Sequence, residues 1–152
     1  MVHTLDGYPP YMPDHDFVAF VASPDAIGTW VATRRTEVVG HVALHRSSSI
    51  AVMELATKAT GLDADQLGVV ARLLVAPEAR RLGVGRLLLE TAAREASGRG
   101  LMPILDVTTT FVPAVALYEQ SGWSRPGTVA VEFPDGTRIE EFVYVAPDST
   151  HG

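Results

Sequence analysis

The sequence predicts an α/β (α+β) fold, a mixed β-sheet layered with helices. Three observations carry the expectation. Leu67 to Val75 is a long, nearly continuous apolar run, as expected of a strand in the middle of a sheet. Gly83 to Ser97 sets Val84, Leu87, Leu88, Thr91, Ala92 and Glu95 near one face at a helical period and stops at Gly98 and Gly100. Asp135-Gly136 separates two alternating runs, Val129 to Phe133 and Ile139 to Val145, the pattern of a β-hairpin.

The remaining elements follow in chain order. Asp6 to Asp16 is rich in proline and aromatic residues and reads as loop, and Asp16 to Ala22 as one or two helical turns. Thr29 to Thr33 and Val38 to Leu44 read as strands joined by a tight turn at Arg34 to Glu37. Ser47, Ser48 and Ser49 supply N-caps for a helix of about three turns that ends at Gly61. Met102 to Thr108 is the next strand. Pro113 suits the first position of a helix running to Ser121 and closed by Gly122. The whole chain, 1–152, reads as a single domain, long enough for a real core.

The stretch Val69 to Leu89 is the most informative for function. An apolar strand leads into a proline-containing turn, two glycines and a helix. The first amides of a helix have no partner within it, and the helix dipole favours negative charge there. Gly83 and Gly85 remove side chains that would hold a ligand off the backbone, and they tolerate left-handed dihedrals. Arg80, Arg81 and Arg86 add positive charge. The ligand such a cradle suits is a phosphate, and a pyrophosphate best of all.

Two nucleotide-site patterns fail here. A dinucleotide fingerprint needs a third glycine where Leu88 stands, and Ala76 to Leu82 is too long a turn, although Asp106 lies where a ribose-binding acid would fall. A P-loop needs Gly-Lys-Ser/Thr, which is absent. A third pattern, [QR]-x-x-G-x-[GA] after a strand ending in Val-x-Pro, fits Arg80-Arg81-Leu82-Gly83-Val84-Gly85 behind Val75-Ala76-Pro77. A second segment, Ala114-Val-Ala-Leu-Tyr118-Glu-Gln-Ser-Gly122-Trp123, follows the signature A-x-x-L-Y-x-x-x-G-[FW]. Over roughly Val38 to Val145 the chain thereby resembles the GNAT superfamily of acyl-CoA-dependent N-acyltransferases.

The resemblance implies a mostly antiparallel central sheet with splayed central strands, and acetyl-CoA (coenzyme A) as cofactor. It implies that Arg80, Arg81, Leu82, Gly83, Val84, Gly85 and Arg86 hold the pyrophosphate arm. Main-chain groups of Leu73, Leu74 and Val75 would pair with the pantetheine, and Ala114 and Tyr118 would line the same site. Tyr118 takes the position of the leaving-group acid; a phenol with a reference pKa of ~10 is protonated at neutral pH. The competing reading is a core tyrosine packed beside Ala114 and Leu117. The asparagine that usually opens this helix is replaced by Phe111, which cannot make its hydrogen bond.

Two departures stand out. GNAT domains open with a strand and a helix, whereas only 28 residues precede Thr29 here and the first dozen look like loop. The N-terminal strand and helix are expected to be missing or shortened, which exposes a sheet edge. A second copy of the chain, in a homodimer, would cover that edge; otherwise the register of the early strands differs. Many GNAT enzymes also carry a glutamate before the cradle, where this chain has Val69-Val70-Ala71. The general base is therefore open between His41, His45, Glu54, Asp63, Asp65 and a water relay. His41 and His45 share a strand face about 13 Å apart, too far for one metal ion. Either titrates in the right range for a base, and either also reads as structural. Tyr8, Tyr11 and Trp30 are candidate walls of the acceptor pocket or ordinary packing.

Composition narrows the remainder. The 47% hydrophobic and 20% charged fractions are those of an ordinary globular chain, and no apolar run approaches a membrane span of ~20 residues. The N-terminus has no signal-peptide pattern. The absence of cysteine rules out disulfides, thiolate metal sites and a thiol nucleophile, and agrees with a cytoplasmic location. A net charge of -6, from 18 acids against 12 bases, argues against nucleic acid as partner and suits a cationic amine. No G-x-S-x-G elbow supports a hydrolase. The expected activity is transfer of an acetyl group to a primary amine of a small molecule by direct attack in a ternary complex. A protein amine as acceptor, and a non-catalytic acyl-CoA-binding module, are the alternatives.

Overall fold

The computed structural model describes residues 2–5, 26–80 and 82–147. In chain order the elements are β1 (Val2–Leu5), β2 (Ala26–Arg34), β3 (Glu37–His45), α1 (Ile50–Thr60), β4 (Leu67–Val75), α2 (Val84–Gly98), β5 (Met102–Thr108), α3 (Val112–Gln120), β6 (Ser124–Glu132) and β7 (Arg138–Val145). The strands form one 7-stranded sheet in the order β1-β2-β3-β4-β5-β7-β6. β1 runs parallel to β2 and β4 parallel to β5; every other pairing is antiparallel.

Local chemistry explains the boundaries. Arg35 adopts a left-handed φ of 62° in the two-residue turn between β2 and β3. The Ser49 hydroxyl accepts from the Val52 amide to start α1, and Gly61, at φ 72°, ends it. Pro113 lies in the first turn of α3, where its missing N–H costs nothing. Gly122, at φ 84°, then reverses the chain so that the Trp123 amide bonds the Tyr118 carbonyl. β6 begins well before the expected Val129. β6 is an edge strand, and an edge tolerates Pro126 because its missing donor faces no neighbour. Gly127 also lets α1 approach, since a Cβ there would lie 3.1 Å from Leu55.

The expectation about the chain's opening is corrected in part. A shortened first strand is present: the four residues of β1 pair with β2, Val2 opposite Thr29, and cover the edge that sequence reasoning left open. The loop and helical-turn readings between Asp6 and Ala22 lie outside the described residues, as do Tyr8 and Tyr11.

Apolar side chains are buried on both sides of the sheet. On one side Leu88, Leu89, Ala92 and Ala96 of α2 and Tyr118 of α3 join Trp30, Val42, Leu44, Leu105, Trp123 and Tyr144. On the other, Val52 and Ala56 of α1 join Leu67, Val69, Ile104 and Val143. Trp30, a candidate pocket wall, is a core residue at 2% exposure, and Gly28 leaves room for its ring. No helix among the described residues is long and apolar enough to cross a membrane.

Candidate active site

The site begins where the sheet splits. β4 and β5 pair only through Leu67–Met102, Gly68–Pro103 and Val69–Ile104. Beyond Val69, β4 stays with β3 as far as Val75–Gly40, while β5 stays with β7 as far as Thr108–Glu141. Among the described residues, no strand pairs with the β5-facing edge of β4 from Leu73 to Val75.

A bulge accompanies the split. β3 pairs His41 with Leu74 and Ala43 with Ala71, so β4 has one residue more between those positions. Arg72 absorbs it with φ 55°, a left-handed conformation uncommon for a residue with a side chain. His41, fully buried, donates from Nδ1 to the Arg72 carbonyl at 2.9 Å. Burial lowers the pKa of His41, with Arg72 and His45 charges adding to the effect and the carbonyl bond opposing it. His41 thus holds the bulge as a neutral ring. His45 is also buried; it pairs with Val69 and faces the α1 side of the sheet. Neither histidine lines the cleft described next.

After β4 the chain turns through Pro77–Ala79, and the Ala76 amide bonds the Val39 carbonyl at 2.7 Å. Gly83 adopts φ 79° as the N-cap of α2, with open space where a Cβ would stand. The first bond of the α2 ladder is Leu87 N–H to Gly83 carbonyl, so the amides of Val84, Gly85 and Arg86 precede it. Gly85 serves packing: a Cβ there would sit 3.3 Å from Leu117 and 3.4 Å from Val75, so α2, α3 and β4 meet at this point.

A cleft of about 760 Å³ lies between these elements. Of the expected cofactor residues, it brings together Leu73, Leu74, Val75, Arg80, Gly83, Gly85, Arg86, Ala114 and Tyr118. Leu82 is exposed away from it, Val84 packs against the core, and Arg81 lies outside the described residues. Phe111, Pro113, Ala116, Leu117, Gln120 and Ser121 complete the lining. Of these, sequence reasoning named Phe111 as the replaced asparagine position and Leu117 only as a packing neighbour of Tyr118; Pro113, Ala116, Gln120 and Ser121 were missed as lining. Arg86 donates to the Gln120 carbonyl at 3.1 Å, tying the start of α2 to the end of α3. Arg94 and Arg99, farther along the chain, are exposed.

Tyr118 lines the cleft and is 6% exposed. Its ring centroid is 5.6 Å from Tyr144 and 6.4 Å from Trp123. Burial pushes its pKa up, and the Asp106 charge and Tyr144 add to the rise, so it stays protonated at neutral pH. Tyr144 in turn donates to Glu119 at 2.8 Å, and Arg125 approaches Glu119 at 3.5 Å while stacking over Phe142.

Sequence reasoning missed a polar group on the other side of the sheet. Strand alternation puts Asp106 with Met102 and Ile104, and Glu141 with Val143 and Val145, on the α1 side. Ser48 donates from Oγ to Asp106 Oδ1 at 3.0 Å. Asp106 and Glu141 are diagonal neighbours in the β5–β7 register. Burial and the neighbouring Asp106 carboxylate push Glu141 up to about 7. Glu54, Asp63 and Asp65 are exposed, and the Asp63 amide is capped by Gln66.

A split sheet with a glycine-opened helix beside it defines the fold of the acyl-CoA N-acyltransferases. Solved structures agree on the fold. The ribosomal-protein-S18-alanine N-acetyltransferase of Escherichia coli aligns with TM-score 0.58 at 18% identity, over 91% of this chain and 79% of that one. Arabidopsis thaliana NAA60, in complex with a bisubstrate analogue, gives 0.65 at 17% identity, over 88% and 82%. A Bacillus anthracis structure in complex with acetyl coenzyme A gives 0.60 at 17% identity, over 86% of this chain and 66% of that one. No curated protein sequence matches the chain. The model of the acetyltransferase (GNAT) family matches residues 3–123, and the chain belongs to that family.

Proposed function

We propose that the protein is an acetyl-CoA-dependent N-acetyltransferase that acetylates a primary amine of a small molecule by direct attack in a ternary complex. The observation that carries this reading is the continuity of the cleft. One surface joins the β4 edge beyond its β5 pairing, the amide-bearing start of α2 and the buried phenol of Tyr118. The residues present fit acetyl-CoA. Backbone N–H and C=O groups of Leu73 to Val75 suit the amides of a pantetheine arm. The early α2 amides, with Arg80 and Arg86, suit a diphosphate. Gly83 leaves open the space a side chain would fill.

Acetyl-CoA supplies a thioester carbonyl activated for acyl transfer. An amide N–H of β4 near the bulge would polarise that carbonyl, a role worth roughly 10²–10³ in kcat where such donors have been removed. Tyr118 would give its proton to the departing thiolate. His41 keeps the Arg72 carbonyl turned toward itself and so fixes which β4 amides face the split. The membership of related folds that act on protein amines does not select the acceptor.

Calorimetric titration with acetyl-CoA, followed by thiol release across a panel of small amines and N-terminal peptides, tests the reading. Saturable binding with turnover of small amines supports it. Absence of acetyl-CoA binding, or turnover of peptides alone, contradicts it.

A further inference from the structure

Two helices wall the cleft, and they are anchored unequally. α2 buries Leu88, Leu89, Ala92 and Ala96, whereas α3 buries Tyr118 alone. α3 also opens without a side-chain cap, and both its cap residue Phe111 and its first helical residue Val112 are exposed. A short helix with one buried residue takes its position from its tethers. We propose that Arg86 is such a tether, a positioning residue that sets α3, and with it Tyr118, across the cofactor cleft. This rests on the acetyltransferase reading above and gives its cradle a second task.

The contact crosses from one wall to the other. Arg86 donates from a guanidinium N–H to the Gln120 carbonyl at 3.1 Å, and both residues line the cleft. The partners are 34 residues apart in sequence. Arg80, the other described arginine of the cradle, donates to the Val75 carbonyl at 3.4 Å, five residues away, and so stays within its own turn. Of the two, Arg86 alone links α2 to α3.

The acceptor suits a cation. The last carbonyls of a helix lack partners within it and carry the negative end of its dipole. In the turn after α3 the amides of Ser121, Gly122 and Trp123 take the carbonyls of Leu117, Glu119 and Tyr118. The Gln120 carbonyl accepts from Arg86. Glu119, one residue earlier, is held to the sheet by Tyr144 of β7 at 2.8 Å and Arg125 of β6 at 3.5 Å. Tyr118 is thus followed by two successive tethers, one to the sheet and one to α2.

Arg86 also belongs to the cradle through its backbone, since its amide precedes the first bond of the α2 ladder. A guanidinium has five N–H donors, and the Gln120 carbonyl takes one of them. The others can meet a diphosphate while the strut stays in place. Cofactor capture and phenol placement then share one residue, and Arg86 should matter even to a donor that has no phosphate.

S-acetyl-pantetheine, a thioester donor without a diphosphate, separates the two tasks. R86M should lower kcat with this donor on the order of 10-fold, because the phenol is misplaced, and leave its KM unchanged. Acetyl-CoA should bind R86M more weakly as well, since a charge is lost. R94M, on the same helix outside the cleft, should alter neither. Amide hydrogen exchange of the whole chain without donor gives a second readout: the α3 amides of R86M should exchange at least ~5-fold faster, with those of β5 and β7 as before. A retained acetyl-pantetheine kcat, or retained protection of α3, overturns the assignment and leaves Arg86 a phosphate contact alone. Failure of the unaltered protein to bind acetyl-CoA overturns the acetyltransferase reading instead, and the exchange of α3 still decides the strut.

Discussion

The two faces of the split sheet are built from different materials. The cleft face is mainly backbone and small or apolar side chains: the open edge of β4, the first amides of α2, Gly83, Gly85 and Ala114. On the opposite face, beside an apolar cluster, Ser48, Asp106 and Glu141 are polar side chains placed by loop and strand register. A site made of backbone must be encoded contiguously, because glycine spacing and helix start depend on neighbours in sequence. A site made of side chains can draw its members from anywhere the sheet brings together. The first kind is expected to be sensitive to backbone conformation, the second to charge and pH.

Three substitutions sharpen that contrast, and the largest effect belongs to the backbone. Gly83→Val puts a β-branched residue at φ 79° and fills the open space at the cradle. Acetyl-CoA should bind on the order of 100-fold more weakly, about 2.8 kcal/mol, by calorimetry. Undiminished affinity would remove the α2 start from the cofactor site.

His41→Leu comes next. It leaves the Arg72 carbonyl without its donor, a loss of about 1–3 kcal/mol in denaturant unfolding. The pH dependence has a definite sign. Burial lowers the pKa of His41, so the stability tied to its neutral form is full above the ordinary histidine range and drains as pH falls below it. The Leu variant should lack that share of the acid-side slope. Equal slopes for both proteins between pH 7.5 and pH 5.5 would contradict the buried neutral assignment.

Tyr118→Phe is the smallest of the three. The ring keeps its place beside Trp123 and Tyr144, so acetyl-CoA affinity should be unchanged. kcat should fall at least ~10-fold, about 1.4 kcal/mol of barrier. An unchanged kcat would return Tyr118 to a packing role.

The same contrast explains what could be read in advance. Leu67 to Val75 and Met102 to Thr108 were legible as strands, because buried strands are short apolar runs with sharp ends. Arg80 to Gly85 was legible because its parts are adjacent. Asp106 was read within the Met102–Thr108 strand as lying where a ribose-binding acid would fall; its place beside Glu141 depends on the β5–β7 register that sets the two diagonal. Ser48 was read as part of a capping run, yet Ser49 is the cap and Ser48 turns to Asp106. His41 was ambiguous between base and structural residue until the bulge at Arg72 appeared. That bulge has no sequence mark, since Arg72 is neither glycine nor asparagine. β1 was missed because four residues give too little alternation to stand out from a loop.

Amide resonances of the intact chain, followed during titration with acetyl-CoA, test the central claim most directly. The account predicts that shifts and exchange protection concentrate on Val84, Gly85 and Arg86 and on the β4 amides from Leu73 to Val75. Saturation with those resonances unmoved, and the changes gathered on another surface, would contradict it.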